Sequence, residues 1–324
     1  MTTNARTSIR VLNTLGPLLG LVFVFTLFAV IGPESFSSLY NLETIARQTA
    51  IVGTAALGMT LIIIAGGIDL SVGSMIALVT VVIAALLQAG VNPAIAAAAG
   101  VAVGAMCGLV NGVLITRLRI VPFIVTLGTL LLLRGAAKGI AREQKIDAPL
   151  TWLKDLLAAL PPGGGWQVFP PGVWIMLVLA LLVAGVLRYT KLGRHIVAIG
   201  SNEQTARLCG VPVERVKIIV YTLSAGFAGM AGLFQFSRLT VGDPTVAAGA
   251  ELDVIAAVVI GGGSLSGGEG SILGTIVGAL IMTVIRSGCS QMGLPNWVQE
   301  IVTGCIIVIA VALDRWRHRR QEAA

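Results

Sequence analysis

Apolar runs of membrane-crossing length, separated by little more than turns, constrain this chain most. Ten are legible: Leu15–Ile31, Ile45–Ala65, Gly73–Leu87, Ala94–Ile115, Pro122–Ile140, Pro171–Leu187, Val216–Phe236, Leu252–Gly262, Ile272–Ile285 and Trp297–Leu313. A helix crossing a bilayer needs about 20 such residues, because each adds only about 1.5 Å of rise. Only 11% of the residues are charged, against roughly 25% in soluble domains. The expectation is an all-α integral membrane protein with about ten transmembrane helices, forming a single transmembrane domain over residues 1–324. The eighth and ninth runs are short and joined by glycines, so they read as broken or re-entrant segments.

Charge placement orients the bundle. The net charge is +7, which in a soluble chain suggests a nucleic acid. Here the basic residues gather on alternate connections: Arg6, Arg10, Arg117, Arg119, Arg188, Lys191, Arg194, Arg207, Arg215, Lys217 and the run Arg315–Arg320. That is the positive-inside pattern, not a nucleic-acid surface. It puts both termini and the segment 191–217 in the cytoplasm, and 141–170 in the one long outer loop. A secretory signal peptide is not expected, because no small-residue cleavage pattern follows the first run. Cys107, Cys209, Cys289 and Cys305 have no CxxC spacing and read as small apolar fillers. His195 and His318 lie far apart and suggest no metal site.

The segment Lys191–Lys217 is a polar interruption of an otherwise apolar chain. Within it SNEQTARLCG reads as a short complete helix. Ser201 with Gln204 fits a capping box, Gly210 and Pro212 fit a stop, and Glu203 with Arg207 is a favourable i,i+4 pair. Two readings stand beside each other: a docking surface, or a solvated connector with a local turn. The outer loop carries TWLKDLLAAL, a possible amphipathic helix, and then the turn PPGGGW. Trp152, Trp166 and Trp174 suit the membrane interface. That loop is either an interfacial connector or a contact for an external partner.

Glycines punctuate the spans. Gly100, Gly104, Gly108 and Gly112 make a smooth stripe, as do Gly270, Gly274 and Gly278, and both predict close helix packing, within one subunit or at a subunit interface. Two breaks, AGGIDLSVGS and GGGSLSGGEGS, are loosely alike. Irregular backbone at membrane depth is tolerated only when it is buried or lines a cavity. Asp69 is placed to cap the third span. Candidate solute contacts within spans are Asn111, Thr126, Thr129, Gln235, Ser237, Asp253, Arg286 and Gln299; Asp253 and Arg286 also fit interfacial span ends. No ordered series of acidic or histidine residues suggests a proton relay. No Ser/His/Asp set or HExxH suggests an enzyme. The chain has no GxxxxGK[ST] phosphate loop, so LSGG at Leu265–Gly268 is a chance match to an ATPase signature.

Four long strings carry a resemblance: LGMTLIIIAGGIDLSVGSMIAL (Leu57–Leu78), LVNGVLITRLRIVPFIVTLGTLLLLRG (Leu109–Gly135), TKLGRHIVAIGSNEQTARLCGVPVERVKIIVYTLSAGFAGMAGL (Thr190–Leu233) and ELDVIAAVVIGGGSLSGGEGSILGTIVGALI (Glu251–Ile281). In that order they resemble the membrane permease subunits of sugar-type, ribose-permease-like ABC importers of the bacterial inner membrane. The resemblance implies a permease homodimer or heterodimer. It also implies a separate cytoplasmic ATPase that binds ATP and magnesium, and an extracytoplasmic solute-binding protein. This chain itself would be neither an enzyme nor a cofactor carrier. It implies a coupling segment at Gly200, Ser201, Asn202, Glu203, Ala206, Arg207, Gly210 and Val211. It implies a pathway shaped by Gly66, Gly67, Asp69, Ser71, Phe123, Thr126, Gly262, Gly263 and Ser264. Related permeases handling nucleosides or branched-chain amino acids stay open as alternatives, as do a stand-alone secondary carrier and a membrane scaffold. The outer loop and Ser287–Asn296, which lacks the asparagine-rich run of such permeases, depart from the pattern.

Overall fold

The computed structural model describes residues 3–160 and 168–322. All ten apolar runs fall on α-helices. Among the described residues the α-helices are twelve: α1 (Thr3–Ile31), α2 (Leu39–Ile64), α3 (Val72–Gln88), α4 (Pro93–Leu118), α5 (Pro122–Ile140), α6 (Pro171–Tyr189), α7 (Lys191–Ser201), α8 (Glu203–Leu208), α9 (Val213–Leu239), α10 (Ala250–Ile260), α11 (Ile272–Gln291) and α12 (Asn296–Glu322). Six of them, α2, α4, α5, α6, α9 and α11, are long and apolar enough to cross a membrane. The ninth run is therefore a full-length helix rather than a half-helix. The eighth, α10, has 11 residues, a rise of about 16 Å, half of what a bilayer core requires.

The glycine stripes set the core. A Cβ on Gly104 would meet the backbone of Ala225 and Gly229, and one on Gly112 would meet Ile218, so α4 and α9 cross backbone to backbone. Gly274 and Gly278 bring α11 equally close to Gly261 and Ala257 at the end of α10. Both stripes are spent inside the subunit. In an apolar solvent such close packing replaces the hydrophobic drive that lipid cannot supply. Around them α2 and α3 are buried almost throughout.

The outer loop is pinned, not loose. TWLKDLLAAL forms only a 3-10 turn, Trp152–Leu156, instead of an amphipathic helix. Leu153 and Leu157 insert fully into the bundle, and the loop backbone is tied down where that turn ends. Ser237 Oγ accepts from Leu157 N (2.9 Å) and Arg47 donates to Leu157 O (2.7 Å). A regular helix would face those anchors away from their partners. A two-residue ladder, β1 (Ile146–Asp147) with β2 (Val241–Gly242), and the Lys145–Asp243 ion pair at 3.2 Å complete the clasp. Trp152 and Trp174 are exposed, as an interfacial role requires; the PPGGGW turn and Trp166 lie outside the described residues. The cysteine expectation holds for Cys289, which is buried, and fails for Cys209 and Cys305, which are exposed.

Candidate functional site: a glycine seat and a polar cavity

The two glycine-rich breaks are built alike. At the end of α2, Gly66 takes φ +78°, while Gly66 N donates to Ile63 O and Gly67 N to Ile62 O, both 2.9 Å. At the end of α10, Gly262 takes φ +90°, with Gly262 N donating to Val259 O (2.9 Å) and Gly263 N to Val258 O (2.8 Å). Each is a Schellman cap, which needs a residue free to enter the left-handed region. Serine then opens the next helix in both. Ser271 Oγ accepts from Gly274 N at the start of α11 (3.2 Å). Ahead of α3, Asp69 acts one step earlier than a helix cap. Its Oδ1 accepts from Ser71 N (2.8 Å) and from the Ser71 hydroxyl, which in turn accepts from Asn111 Nδ2 (3.0 Å).

Both breaks meet the segment 191–217. Helix α7 presents Gly193, Ile196 and Ile199 to the bundle at i, i+3, i+6 spacing, a stripe on one side. Gly200 at its end lies against Ile64 O and Gly268 N, and these two bond to each other at 2.9 Å. A Cβ on Gly267 would overlap the Gly200 backbone, and one on Gly66 would lie 3.8 Å from Gly200 Cα. Three stretches of main chain converge where no side chain fits. Gly66, Gly267 and Gly268 therefore make the floor under Gly200 and Ser201, while Gly262, Gly263 and Ser264 lie in the turn after α10 that leads to them, Gly263 against Val258. Thr126 reaches the same region, donating to Ile68 O (3.3 Å). Phe123 is exposed on α5.

The short helix follows at once. Ser201 does not cap it: Ser201 closes α7 and donates its hydroxyl to Val197 O (2.9 Å). Asn202 is the cap, with Oδ1 accepting from Thr205 N (2.8 Å) in extended backbone (φ −162°). The continuous α7 turn takes Ser201, so the one residue that leaves helical geometry takes the cap. The stop is as the sequence reads: Gly210 has φ +82°, and Gly210 N and Val211 N return to Arg207 O and Ala206 O, at 3.1 and 3.0 Å. Glu203 pairs with Arg207 at 3.5 Å, but its nearer partner is Lys217 on α9, at 2.6 Å. Burial pushes the Glu203 carboxyl up; Lys217 and then Arg207 outweigh this and hold it below its ordinary value. Ala206 alone of α8 is buried. Leu208, which sequence reasoning passed over, is 88% exposed at the tip. A groove of about 550 Å³ separates α8 from the α4–α5 link; Arg119, Glu203, Arg207, Glu214 and Lys217 line it.

Helix α2 runs from this seat, at Ile64, to a second feature at Asn41. Twenty-three steps of helix put them about 35 Å apart. There a cavity of about 430 Å³ lies among α2, α3, α9, α10, α11 and the start of α12. Its walls include Asn41, Gln48, Gln235, Arg238, Asp253, Arg286 and Gln299, and Ile51, Ile76 and Val254 are its apolar residues nearest the bundle core. Non-helical residues Val246–Ala248 form part of the wall; Arg134 pins that stretch by donating to Pro244 O (3.0 Å) and Val246 O (2.7 Å). Irregular backbone here borders a cavity. Asp253 on α10 is paired with Arg286 on α11. Of the residues read as solute contacts, Gln235, Asp253, Arg286 and Gln299 come together here. Asn111, Thr126 and Thr129 are buried in packing elsewhere, and Ser237 holds the outer loop.

Residues 41–311 match the family model for the permease component of branched-chain amino acid transport systems. The chain belongs to that permease family. The permease is 40% identical over 297 residues to the ribose import permease protein RbsC of Escherichia coli (strain K12), covering 92% of each chain. It is 40% identical over 306 residues to that of Bacillus subtilis (strain 168), covering 94% of each. To the fructose import permease protein FrcC of Rhizobium meliloti it is 38% identical over 307 residues, 93% of this chain and 84% of that one. No solved structure matches it. The permease is thus a multi-pass membrane transport component.

Proposed function

We propose that this permease forms the transmembrane pathway of an ABC importer for a sugar or sugar-like solute. A separate cytoplasmic ATPase, holding ATP and magnesium, docks on α8 and the adjoining groove. An extracytoplasmic binding protein delivers solute to the far end, and a second permease subunit, identical or closely related, completes the complex. The chain sits in the bacterial inner membrane with ten crossings and cytoplasmic termini. The similarity to ribose and fructose permeases supports the solute class.

One observation carries the mechanism. The small helix α8, capped at both ends, follows directly on α7, whose Gly200 rests on the main chain of the two breaks, and those breaks end α2 and α10. Helix α2 and helix α10 also wall the polar cavity. Force applied at α8 therefore reaches the cavity through rigid helices rather than through side chains that can yield. ATP binding shifts the population between outward-open and inward-open arrangements because the ATPase holds α8 differently in each.

Reconstitution in vesicles tests this. With ATPase and binding protein present, uptake of the delivered solute requires ATP. Uptake driven by an ion gradient with no ATPase present identifies a stand-alone carrier instead, and partner binding without flux identifies a scaffold.

A further inference from the structure

Residues 241–249 join α9 to α10 with no helix, only the short β2. They descend along α3 as a strap. A Cβ on Gly242 would meet Ala84 and Thr80 O, and one on Gly73 would meet Ala247 O. From Ala84 to Gly73 is eleven steps of helix, about 16 Å. The strap is held on three sides. Lys145 of the outer loop pairs with Asp243 at 3.2 Å. Arg134 of α5 donates to Pro244 O and Val246 O. Thr80 Oγ1 of α3 accepts from Asp243 N (3.3 Å).

Strain gathers around this strap. Among the described residues, the non-glycine positions with positive φ are Arg119, Arg142, Glu143, Thr240 and Ala247. All but Arg119 bracket the β1–β2 clasp: Arg142 and Glu143 precede β1, Thr240 precedes β2, and Ala247 lies near the inner end of the strap. Thr240 is branched at Cβ, which makes left-handed backbone there a genuine outlier. Such strain persists only where the surroundings impose it, and it collects at switching segments. Gly249, at φ +79°, has open space about its Cα and is free to swivel. The strap also connects three features. Its start is laddered to the outer loop, where Lys145, Asp147 and Trp152 are exposed. Val246, Ala247 and Ala248 wall the polar cavity. Its end continues into α10, whose other end is the glycine break that leads to the seat.

We propose that the strap is the outer gate of the pathway, hinged at Thr240 and Gly249, and that the extracytoplasmic binding protein works it by engaging the outer loop. The β1–β2 clasp passes the movement from loop to strap. When the ladder parts, Thr240 and Ala247 return to ordinary backbone and the cavity mouth changes width. The Lys145–Asp243 pair resists this little, because the lysine side chain is largely exposed. Helix α10 carries the same movement to the seat, so the two faces of the membrane communicate. The proposal rests on the reading of the chain as an ABC importer and locates its outer gate.

The test locks the clasp. Asp147 and Val241 are antiparallel partners, about 4.5–5.5 Å apart at Cα, within reach of a disulfide. With the native cysteines replaced, Asp147→Cys/Val241→Cys permease is assembled with its ATPase in lipid nanodiscs, which leave both faces open. After oxidation, stimulation of ATP hydrolysis by the binding protein is lost while basal hydrolysis remains; a reductant restores the stimulation. Equal stimulation before and after complete cross-linking overturns the proposal and leaves the importer reading standing. A second measurement needs no cross-link. Spin labels at Ala248→Cys and Ser290→Cys, both exposed on the cavity wall, report a changed distance when binding protein and ATP are added. An unchanged distance likewise overturns the gate. Failure of the unsubstituted permease to bind the ATPase overturns the importer reading and this proposal together.

Discussion

Gly200, at the end of α7, lies so close to the carbonyl oxygen of Ile64, at the end of α2, that a methyl group at Gly200 would overlap it. The neighbour is main chain inside a helix cap, so it cannot turn aside. Gly200→Ala is therefore an overpacking change, costing about 1–3 kcal/mol. It should lower the melting temperature in detergent and reduce ATPase co-purification. An unchanged melting curve with full ATPase recovery would mean that the seat is not tight.

The cap of α8 separates two neighbouring polar residues. Asn202→Ala removes the bond from Thr205 N and should cost about 1 kcal/mol. Ser201→Ala loses only a hydroxyl bonded back to Val197 O and should change melting little. Circular dichroism melts of the two variants decide it, and the reverse order would restore Ser201 as the cap.

Leu208 and Arg207 project from the same helix, exposed. Leu208→Asp removes apolar contact area, and Arg207→Glu places a third carboxylate beside Glu203 and Glu214. Each should abolish or strongly weaken ATPase association while leaving the spans folded, because neither side chain supports the bundle. Pull-down of the ATPase, with melting as the control, is the measurement; full association in both variants would remove α8 from the docking surface.

Acidification should loosen the α8–α9 junction. The Glu203 carboxyl, held down by Lys217 and Arg207 against the opposing effect of burial, sits below its ordinary value of 4.5. A depressed carboxyl stabilises the fold above its unfolded value, and that stability disappears as pH falls through the folded value. A spin label on Cys209, with the other cysteines replaced, should report constant mobility between about pH 8 and about pH 5.5. Mobility should rise only below about pH 4.5, and in Glu203→Gln it should be high throughout. A transition near neutrality would implicate a different group.

The helices were legible because burial in lipid writes itself into composition: every apolar run became a helix. The glycine stripes were legible too, since a four-residue period has one meaning on a helix. The seat was only half legible. Gly66 and Gly262 stood out as breaks, but the convergence of Gly66, Gly267 and Gly268 on Gly200 joins positions far apart in the chain, and spacing does not record that. Ser201 was misread as the cap because the capping pattern is local, while α7 extends one residue further through tertiary support from Ile196 and Ile199. The cavity was the least legible. Asp253 and Arg286 each look like a span end, and only the fold makes them a pair.

The central claim is that ATP used by a partner on α8 moves solute through the bundle about 35 Å long. ATP-dependent uptake in vesicles holding the permease, its ATPase and its binding protein tests it most directly. The account predicts accumulation that stops when ATP or either partner is omitted, and that is lost in Arg207→Glu. Accumulation by the permease alone under an ion gradient, or full ATP-driven uptake in Arg207→Glu, would contradict it.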